Sequence, residues 1–397
     1  MLLKRKCPVC GAQQGVLIKR LPLNLSAEMR GRINYPDYFD LVSCDECGML
    51  FSDINLTKAD VDNYYVNCNM YDNASNVKSK VYDEGCKLYY DAISPYITEE
   101  SRIIDIGCGN GNFLGFLKEK GFKNLYGMDP SESSVQKLKE NEINGVVGNI
   151  YDRVPEKLQE KFDIIIFSFV FEHVLIPESC LKNLISLMKK PNGILYIAVP
   201  NAIGFKKYLR ELPNYFNQEH INYFTPKTLD YFCARNGLHR CSSEEECYHV
   251  MCPSSPEMVI SAVYCQTGKK AEDKIYDESG KESAIAYLEK MEQYQEQKKN
   301  AINMLLEEQN PLIIWGTGGY ATSLLCDIPA LLERVICFAD NDYNKQNSTF
   351  FGKKVVSPDK LIEYSSAVIM VCVMMDKDSI VKQIREMNIS NRIFLIP

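Results

Sequence analysis

The sequence predicts an α/β fold: a small metal-held N-terminal domain, a central doubly wound sheet domain and a smaller C-terminal α/β domain. Three observations carry this. Two cysteine pairs stand near the N-terminus, Cys7-Pro8-Val9-Cys10 and Cys44-Asp45-Glu46-Cys47. Short β-rich runs then alternate with helical stretches, the pattern of a doubly wound sheet. Two of those strands run into glycine-rich turns, at Gly107-Cys108-Gly109-Asn110-Gly111 and at Gly316-Thr317-Gly318-Gly319. A chain of 397 residues also exceeds what one core usually spans.

Residues 1–73 hold the cysteine pairs and aromatic clusters with little helical periodicity, as expected where a metal fixes a small fold. Residues 74–264 form the central domain, with strands expected over Arg102–Ile106, Asn124–Asp129, Gly145–Asn149, Phe162–Phe169, Gly193–Val199 and Glu257–Tyr264. Gly121 ends the first helix between them, and Thr225-Pro226 supplies a cap and a first-turn proline for a helix that Gly237 ends. Residues 265–310 are charged, with Ile285, Leu288, Met291, Ile302 and Leu305 at helical spacing, and read as an amphipathic linker helix. Residues 311–397 repeat strand and helix as a second, Rossmann-like unit, with strands over Val335–Asp340 and Ala367–Met374.

Composition narrows the function. With 45 basic and 52 acidic residues the formal charge is −7, which argues against nucleic acid or an anionic membrane as partner. The one dense basic cluster is Lys4-Arg5-Lys6. The longest apolar runs, Phe162 to Phe171 and Val368 to Met375, are far short of the roughly 20 residues of a membrane helix. The first residues lack the apolar core of a signal peptide, so a cytoplasmic protein is expected. Of 16 cysteines four are paired and the rest scattered, which suits a reducing compartment. Oligomeric state is not legible.

Each CxxC pair is followed by a glycine, Gly11 or Gly48, that lets backbone amides turn toward the sulfurs. Cys7, Cys10, Cys44 and Cys47 supply four sulfur ligands, a closed shell that suits structural zinc. A rubredoxin-type iron centre and free thiols are the other readings.

The first glycine-rich turn follows Ile103-Ile104-Asp105-Ile106 and opens a helix. A dinucleotide fingerprint needs its third glycine at position 112, which is Asn112, so NAD is disfavoured. Gly107, Gly109 and Gly111 let the backbone approach a ligand that has no pyrophosphate. Asp129 ends the next strand, where a carboxylate can accept both hydroxyls of a ribose, and Asn149 ends the third, where an amide can meet an adenine edge. Taken alone, the glycine pattern also fits a mere tight turn.

These residues resemble the class I S-adenosylmethionine-dependent methyltransferases over about Ser101 to Pro200. The resemblance implies that Asp105, Gly107, Cys108, Gly109 and Gly111 hold the methionine part of the donor, Asp129 the ribose and Asn149 the adenine, with Phe169 also at the donor. Phe162 to Val174 looks like the family's fourth strand and the acceptor-facing turn after it, and Pro191-Asn192-Gly193 like the turn into the fifth. In the whole chain the domain order is similar to that of three-domain sugar C-methyltransferases, which act on nucleotide-linked keto-deoxysugars. Their most specific shared motif is matched by Glu219-His220-Ile221-Asn222-Tyr223-Phe224.

That resemblance implies His220 as the base that removes the proton beside the ketone, Glu219 as its support, His173 facing the sugar and Tyr71 closing the site. Two departures keep oxygen and nitrogen acceptors open: Asn217 stands where the sugar enzymes have tyrosine, and Glu172 precedes His173 as in general small-molecule methyltransferases. The chain lacks the (D/N)PP(Y/F) turn of base-amino methylases. A zinc-ribbon RNA methyltransferase and a non-catalytic nucleotide-binding protein are the rivals. His239 and His249 stay unassigned.

The second glycine-rich turn fits GxGxxA, and Asp340 ends the next strand, an arrangement that taken alone suits a dinucleotide. By the resemblance this domain helps enclose the acceptor instead, with Gly316 and Gly318 as contacts. A structural turn is the plainer reading.

Overall fold

The structure, a computed structural model, describes residues 1–23, 25, 30–67, 80–151, 154–158, 161–207, 215–242, 249–250, 258–266, 273–373 and 377–396. These divide into two compact units, residues up to Tyr287 and residues from Leu288 onward.

The first unit opens with β1 (Gly15–Pro22), β2 (Tyr38–Cys44) and β3 (Leu50–Asp53). Helix α1 (Lys58–Asn67) follows, where the sequence pattern promised little helix. Its start is fixed by a reciprocal cap that the apolar pattern does not register: Asp60 Oδ2 accepts from the Thr57 amide and Oγ1, and Thr57 Oγ1 accepts from the Asp60 amide. Helix α2 (Lys80–Ile93) leads into β4 (Ile103–Ile106), α3 (Asn112–Glu119), β5 (Leu125–Asp129), α4 (Glu132–Glu140) and β6 (Asn144–Val147). Then come β7 (Ile164–Ser168), α5 (Pro177–Leu187), β8 (Ile194–Pro200), β9 (Asn222–Tyr223), α6 (Pro226–Arg235), β10 (Leu238–Arg240), β11 (His249–Val250) and β12 (Met258–Gln266). The expected strands of this region form within a residue or two of where the β-branched runs place them. Helix α6 starts as expected, with Thr225 and Thr228 in a reciprocal capping box and proline in the first turn.

The main sheet has the order β10-β12-β8-β7-β4-β5-β6, with β11 also pairing β12. From β8 to β6 it is parallel, and β12 closes it antiparallel. The order in which strands are added reverses between β4 and β7, which run parallel, so the turns after these two neighbouring strands flank one crevice at their carboxyl ends, the place where such sheets bind ligands. The strands are almost wholly apolar because both faces are covered.

A second sheet, β1-β2-β3-β9, is antiparallel throughout. Its last strand comes from a segment 170 residues downstream of the cysteine-rich hairpins, so this sheet and the main sheet share a core. Cys7, Cys44, Phe51, Ile104, Phe167, Phe171 and Phe224 belong to one buried cluster. Among the scattered cysteines, Cys241 on the β10 edge and Cys265 on β12 form a disulfide with Cα atoms 6.3 Å apart. Their distance in sequence hid the pairing that the strand ladder creates.

Helix α7 (Ser279–Glu307) begins in the first unit. Its entry is anchored by Asp277, which is buried and accepts from Thr225 Oγ1 (2.5 Å) and Ser279 Oγ (2.7 Å), while its amide donates to the Cys47 carbonyl. The second unit is a six-stranded sheet of β13 (Leu312–Trp315), β14 (Val335–Ala339), β15 (Thr349–Phe350), β16 (Lys353–Val356), β17 (Val368–Val371) and β18 (Ile393–Leu395), in the order β15-β16-β14-β13-β17-β18. All its pairs are parallel except β15 with β16. No helix among the described residues is long and apolar enough to cross a membrane.

Asp277→Ala leaves the Thr225 and Ser279 hydroxyls without their acceptor, each at a cost of about 1–3 kcal/mol. Thermal denaturation followed by circular dichroism is expected to show a midpoint lower by at least about 4 °C.

Candidate active site

The turn after β4 is built on positive φ: +79° at Gly107, +50° at Gly109 and +74° at Gly111. Space decides which of these glycines serve packing. A Cβ on Gly107 meets Val170 Cγ2 at 2.7 Å and one on Gly111 meets Leu138 Cδ2 at 2.1 Å, whereas nothing lies within 4 Å of one on Gly109. The loop therefore presses on the body of the domain at both ends and is open in the middle. Gly107 and Cys108 donate to the Met128 carbonyl. Asp129, at the end of β5, accepts from the Gly109 amide (2.9 Å) and the Ser131 amide (2.9 Å), tying the first two turns together. Asn149 Oδ1 accepts from the Tyr151 amide at 3.2 Å.

Asp105 is buried, and its Oδ1 has no hydrogen-bond partner among the described residues. Burial, and secondarily the charge on Asp129, push its carboxyl up to about 7. Burial likewise pushes the Cys108 thiol up. An orphaned buried oxygen under an open, glycine-lined loop fits a ligand that brings a cationic hydrogen-bond donor.

The turn after β7 packs directly on this loop through the Val170 contact with Gly107. Phe169 holds φ +55°, and its amide donates to the Ala198 carbonyl. A 3₁₀ turn, Phe171–His173, follows, in which Glu172 is buried. His173 Nδ1 lies 3.1 Å from the Glu219 carbonyl oxygen, and Nε2 lies 3.8 Å from the Glu172 carboxylate. Burial depresses His173 to about 4, so its imidazole is neutral near pH 7.

Asn217 Oδ1 accepts from the amides of Glu219 and His220, both at 2.8 Å, a side-chain turn that presents the two residues after it. The rings of His173 and His220 meet edge to face with centroids 4.8 Å apart. The Glu219 carboxylate takes a 2.5 Å hydrogen bond from Tyr64, whose ring stacks on Tyr35 at 5.5 Å. Past the histidine, Tyr223 OH donates to the His220 carbonyl, and Ile221 donates to the Glu172 carbonyl. Asn222 Nδ2 donates to the carbonyls of Phe171 (2.8 Å) and Val174 (2.7 Å), while its Oδ1 accepts from Arg5 Nη2 at 2.5 Å. Tyr71 lies outside the described residues.

Arg5 was one of the three basic residues of the N-terminal cluster, but it is no surface charge. Its guanidinium lies over Phe51, 5.3 Å from the ring centroid, and burial lowers it to about 10. Two residues on, Cys7 joins Cys10, Cys44 and Cys47 in a group whose sulfurs all lie within 4.8 Å of one another, with Cys7 to Cys47 at 3.6 Å and Cys10 to Cys44 at 3.4 Å. The two knuckles are alike: Gly11 donates to the Cys7 carbonyl and Gly48 to the Cys44 carbonyl, both glycines with positive φ. Four sulfurs converging from two such turns fit a tetrahedral structural zinc.

In the second unit Gly316 has φ +109°, and a Cβ there would stand 2.6 Å from the Cys372 carbonyl oxygen, a close approach that itself demands glycine. Asp340 accepts from the Thr317 amide and Oγ1, as Asp129 does from Gly109.

Residues 80–241 match the methyltransferase-domain family. The central domain is a class I methyltransferase domain. Its cofactor class is S-adenosylmethionine. Residues 308–394 match the family described as C2185-like, N-terminal. An uncharacterized methyltransferase of Staphylococcus carnosus is 28% identical over 125 residues, 31% of this chain and 58% of that one. Protein arginine N-methyltransferase 1 of Schizosaccharomyces pombe is 30% identical over 119 residues, 27% of this chain and 34% of that one. The chain thus spans little more than half the length of the first of these and a third of the second. Among solved structures, the PH0226 protein of Pyrococcus horikoshii is 19% identical with a TM-score of 0.40, covering 51% of this chain and 98% of that one.

The methyltransferase domain needs Asp105 ionised if that oxygen is to receive the ammonium of the donor. Since its carboxyl is raised to about 7, donor affinity measured by calorimetry is expected to weaken as pH falls below 7, by up to about tenfold per unit. Asp105→Asn is expected to bind more weakly and to lose that slope.

Proposed function

We propose that this chain is a methyltransferase whose acceptor is a small polar molecule, a nucleotide-linked keto-deoxysugar, methylated at carbon with His220 as the base. The observation that carries the reading is the pair of imidazoles, His173 on the turn that touches the glycine-rich loop and His220 from the segment before β9, held ring against ring. When bound, S-adenosylmethionine supplies an electrophilic methyl group on a sulfonium.

His220 takes the proton from the carbon beside the ketone, leaving an enolate whose carbon forms the new bond to methyl as the carbon–sulfur bond breaks and its electron pair stays on sulfur. The base then returns its proton to water. His173, neutral and fixed by the Glu219 carbonyl, faces the sugar as a hydrogen-bonding group without bringing a competing charge. Glu219, engaged by Tyr64 and sharing its backbone with the base, sets the position of His220. Asp129 holds the ribose while bracing the loop, and the four-sulfur zinc is structural.

A second reading, an oxygen or nitrogen acceptor, is favoured by Asn217, whose carboxamide is used within its own turn. Incubation with S-adenosylmethionine and a panel of nucleotide-linked 4-keto sugars, read by mass spectrometry, separates the two. A product heavier by one methyl group is expected. Donor binding without any methylated sugar would favour the second reading. In the productive reaction His220→Ala is expected to lower kcat by at least about 100-fold with donor affinity unchanged. Asp129→Ala is expected to weaken donor binding by at least about tenfold.

A further inference from the structure

The β10 edge carries a second cluster of metal-ligating side chains, remote from the donor loop: β12, β8 and β7 stand between β10 and β4. In the antiparallel ladder His239 is paired with Cys265, and Arg240 with Tyr264. Side chains alternate between faces along a strand, so His239, Cys241 and Cys265 share one face. Contacts on the opposite face agree. Tyr264 donates to Asp230 on α6, and Arg240 pairs with the same carboxylate.

On the shared face Cys241 and Cys265 are half-buried against the core beneath, and His239 is exposed. His239 Nε2 lies 4.0 Å from Cys241 Sγ, and one ligand atom from each of the three residues lies within 4.8 Å of the others.

We propose that His239, Cys241 and Cys265 form a second, thiol-based metal site that alternates with the disulfide. In the oxidised chain both sulfurs are spent on each other and no metal is held. A small dithiol reductant delivers two electrons and two protons, the sulfur–sulfur bond breaks into two thiols, and the reductant leaves as its own disulfide. A soft divalent ion, zinc by the character of one nitrogen and two sulfurs, then displaces both thiol protons to water. Three protein ligands leave a fourth tetrahedral position for water or a further ligand, which distinguishes this site from the closed four-sulfur one.

The test is the zinc content of the full chain, oxidised or reduced with dithiothreitol, the reductant then removed anaerobically, and equilibrated with ~10 μM free zinc. Two equivalents are expected in the reduced protein and one in the oxidised protein, with two fewer reactive thiols in the latter. Cys241→Ser and His239→Ala are each expected to hold a single equivalent when reduced, which shows that the four-sulfur site and the fold survive. A reduced chain that holds only one equivalent overturns the proposal, as does a second equivalent that persists in Cys241→Ser.

Discussion

The buried carboxamide of Asn222 is the contact on which the rest of the site depends. Its two donors hold the carbonyls of Phe171 and Val174, on either side of the turn that bears His173, and its oxygen holds the guanidinium of Arg5. Asn222 also belongs to the strand that pairs with β3. One side chain therefore locks the segment carrying His220 to the turn after β7 and to the cysteine-rich sheet at once. Buried as it is, each of these polar groups is expensive to leave unpaired, so the arrangement is all-or-none. This fits the four-sulfur cluster to a role without chemistry: the amides of Lys4 and Arg5 seat on the Asp53 carboxylate, and a metal held at Cys7 would keep that N-terminal segment in place so that Arg5 reaches inward.

The glycine-rich half rests on a different constraint, the reversal of strand order between the parallel neighbours β4 and β7. That reversal brings two turns to one crevice, and steric contact sets their spacing, since Val170 occupies the volume a Cβ on Gly107 would need. Asp105, buried on the strand that leads into this loop, has its proton affinity raised by that burial and by Asp129. A protein without donor thus keeps a carboxyl that is readily protonated, and a cationic ligand restores its charge. On the proposed reading, donor recognition and the packing of the turn after β7 are consequences of one tight loop.

Much of this was legible in the sequence because its signals are local. β-branched runs, glycines at strand exits and the Thr225-Pro226 cap specify elements from nearest neighbours, and the central strands form where those signals put them. CxxC spacing is equally local. What escaped depends on long-range contact. Arg5 lies in a run of three basic residues whose pattern is that of a solvated patch, and only the fold shows that its guanidinium turns inward to Asn222. Tyr64 reaches Glu219 through the docking of α1, a helix whose cap is polar and whose apolar stripe is weak. Asp277 falls in a stretch that reads as charged linker. His173 and His220 both stand out in the sequence, but their approach to 4.8 Å follows from the Asn222 clamp, which no spacing rule encodes.

Paired imidazoles that abstract a proton are tested by proton exchange before any methyl moves. The protein, saturated with S-adenosylhomocysteine, is incubated with a nucleotide-linked 4-keto sugar in deuterium oxide, and the sugar is read by mass spectrometry and NMR. Deuterium entering at the carbon beside the ketone, and failing to enter with His220→Ala, is the predicted result. Exchange no faster than in buffer alone, with donor product and sugar both bound, would contradict His220 as the base.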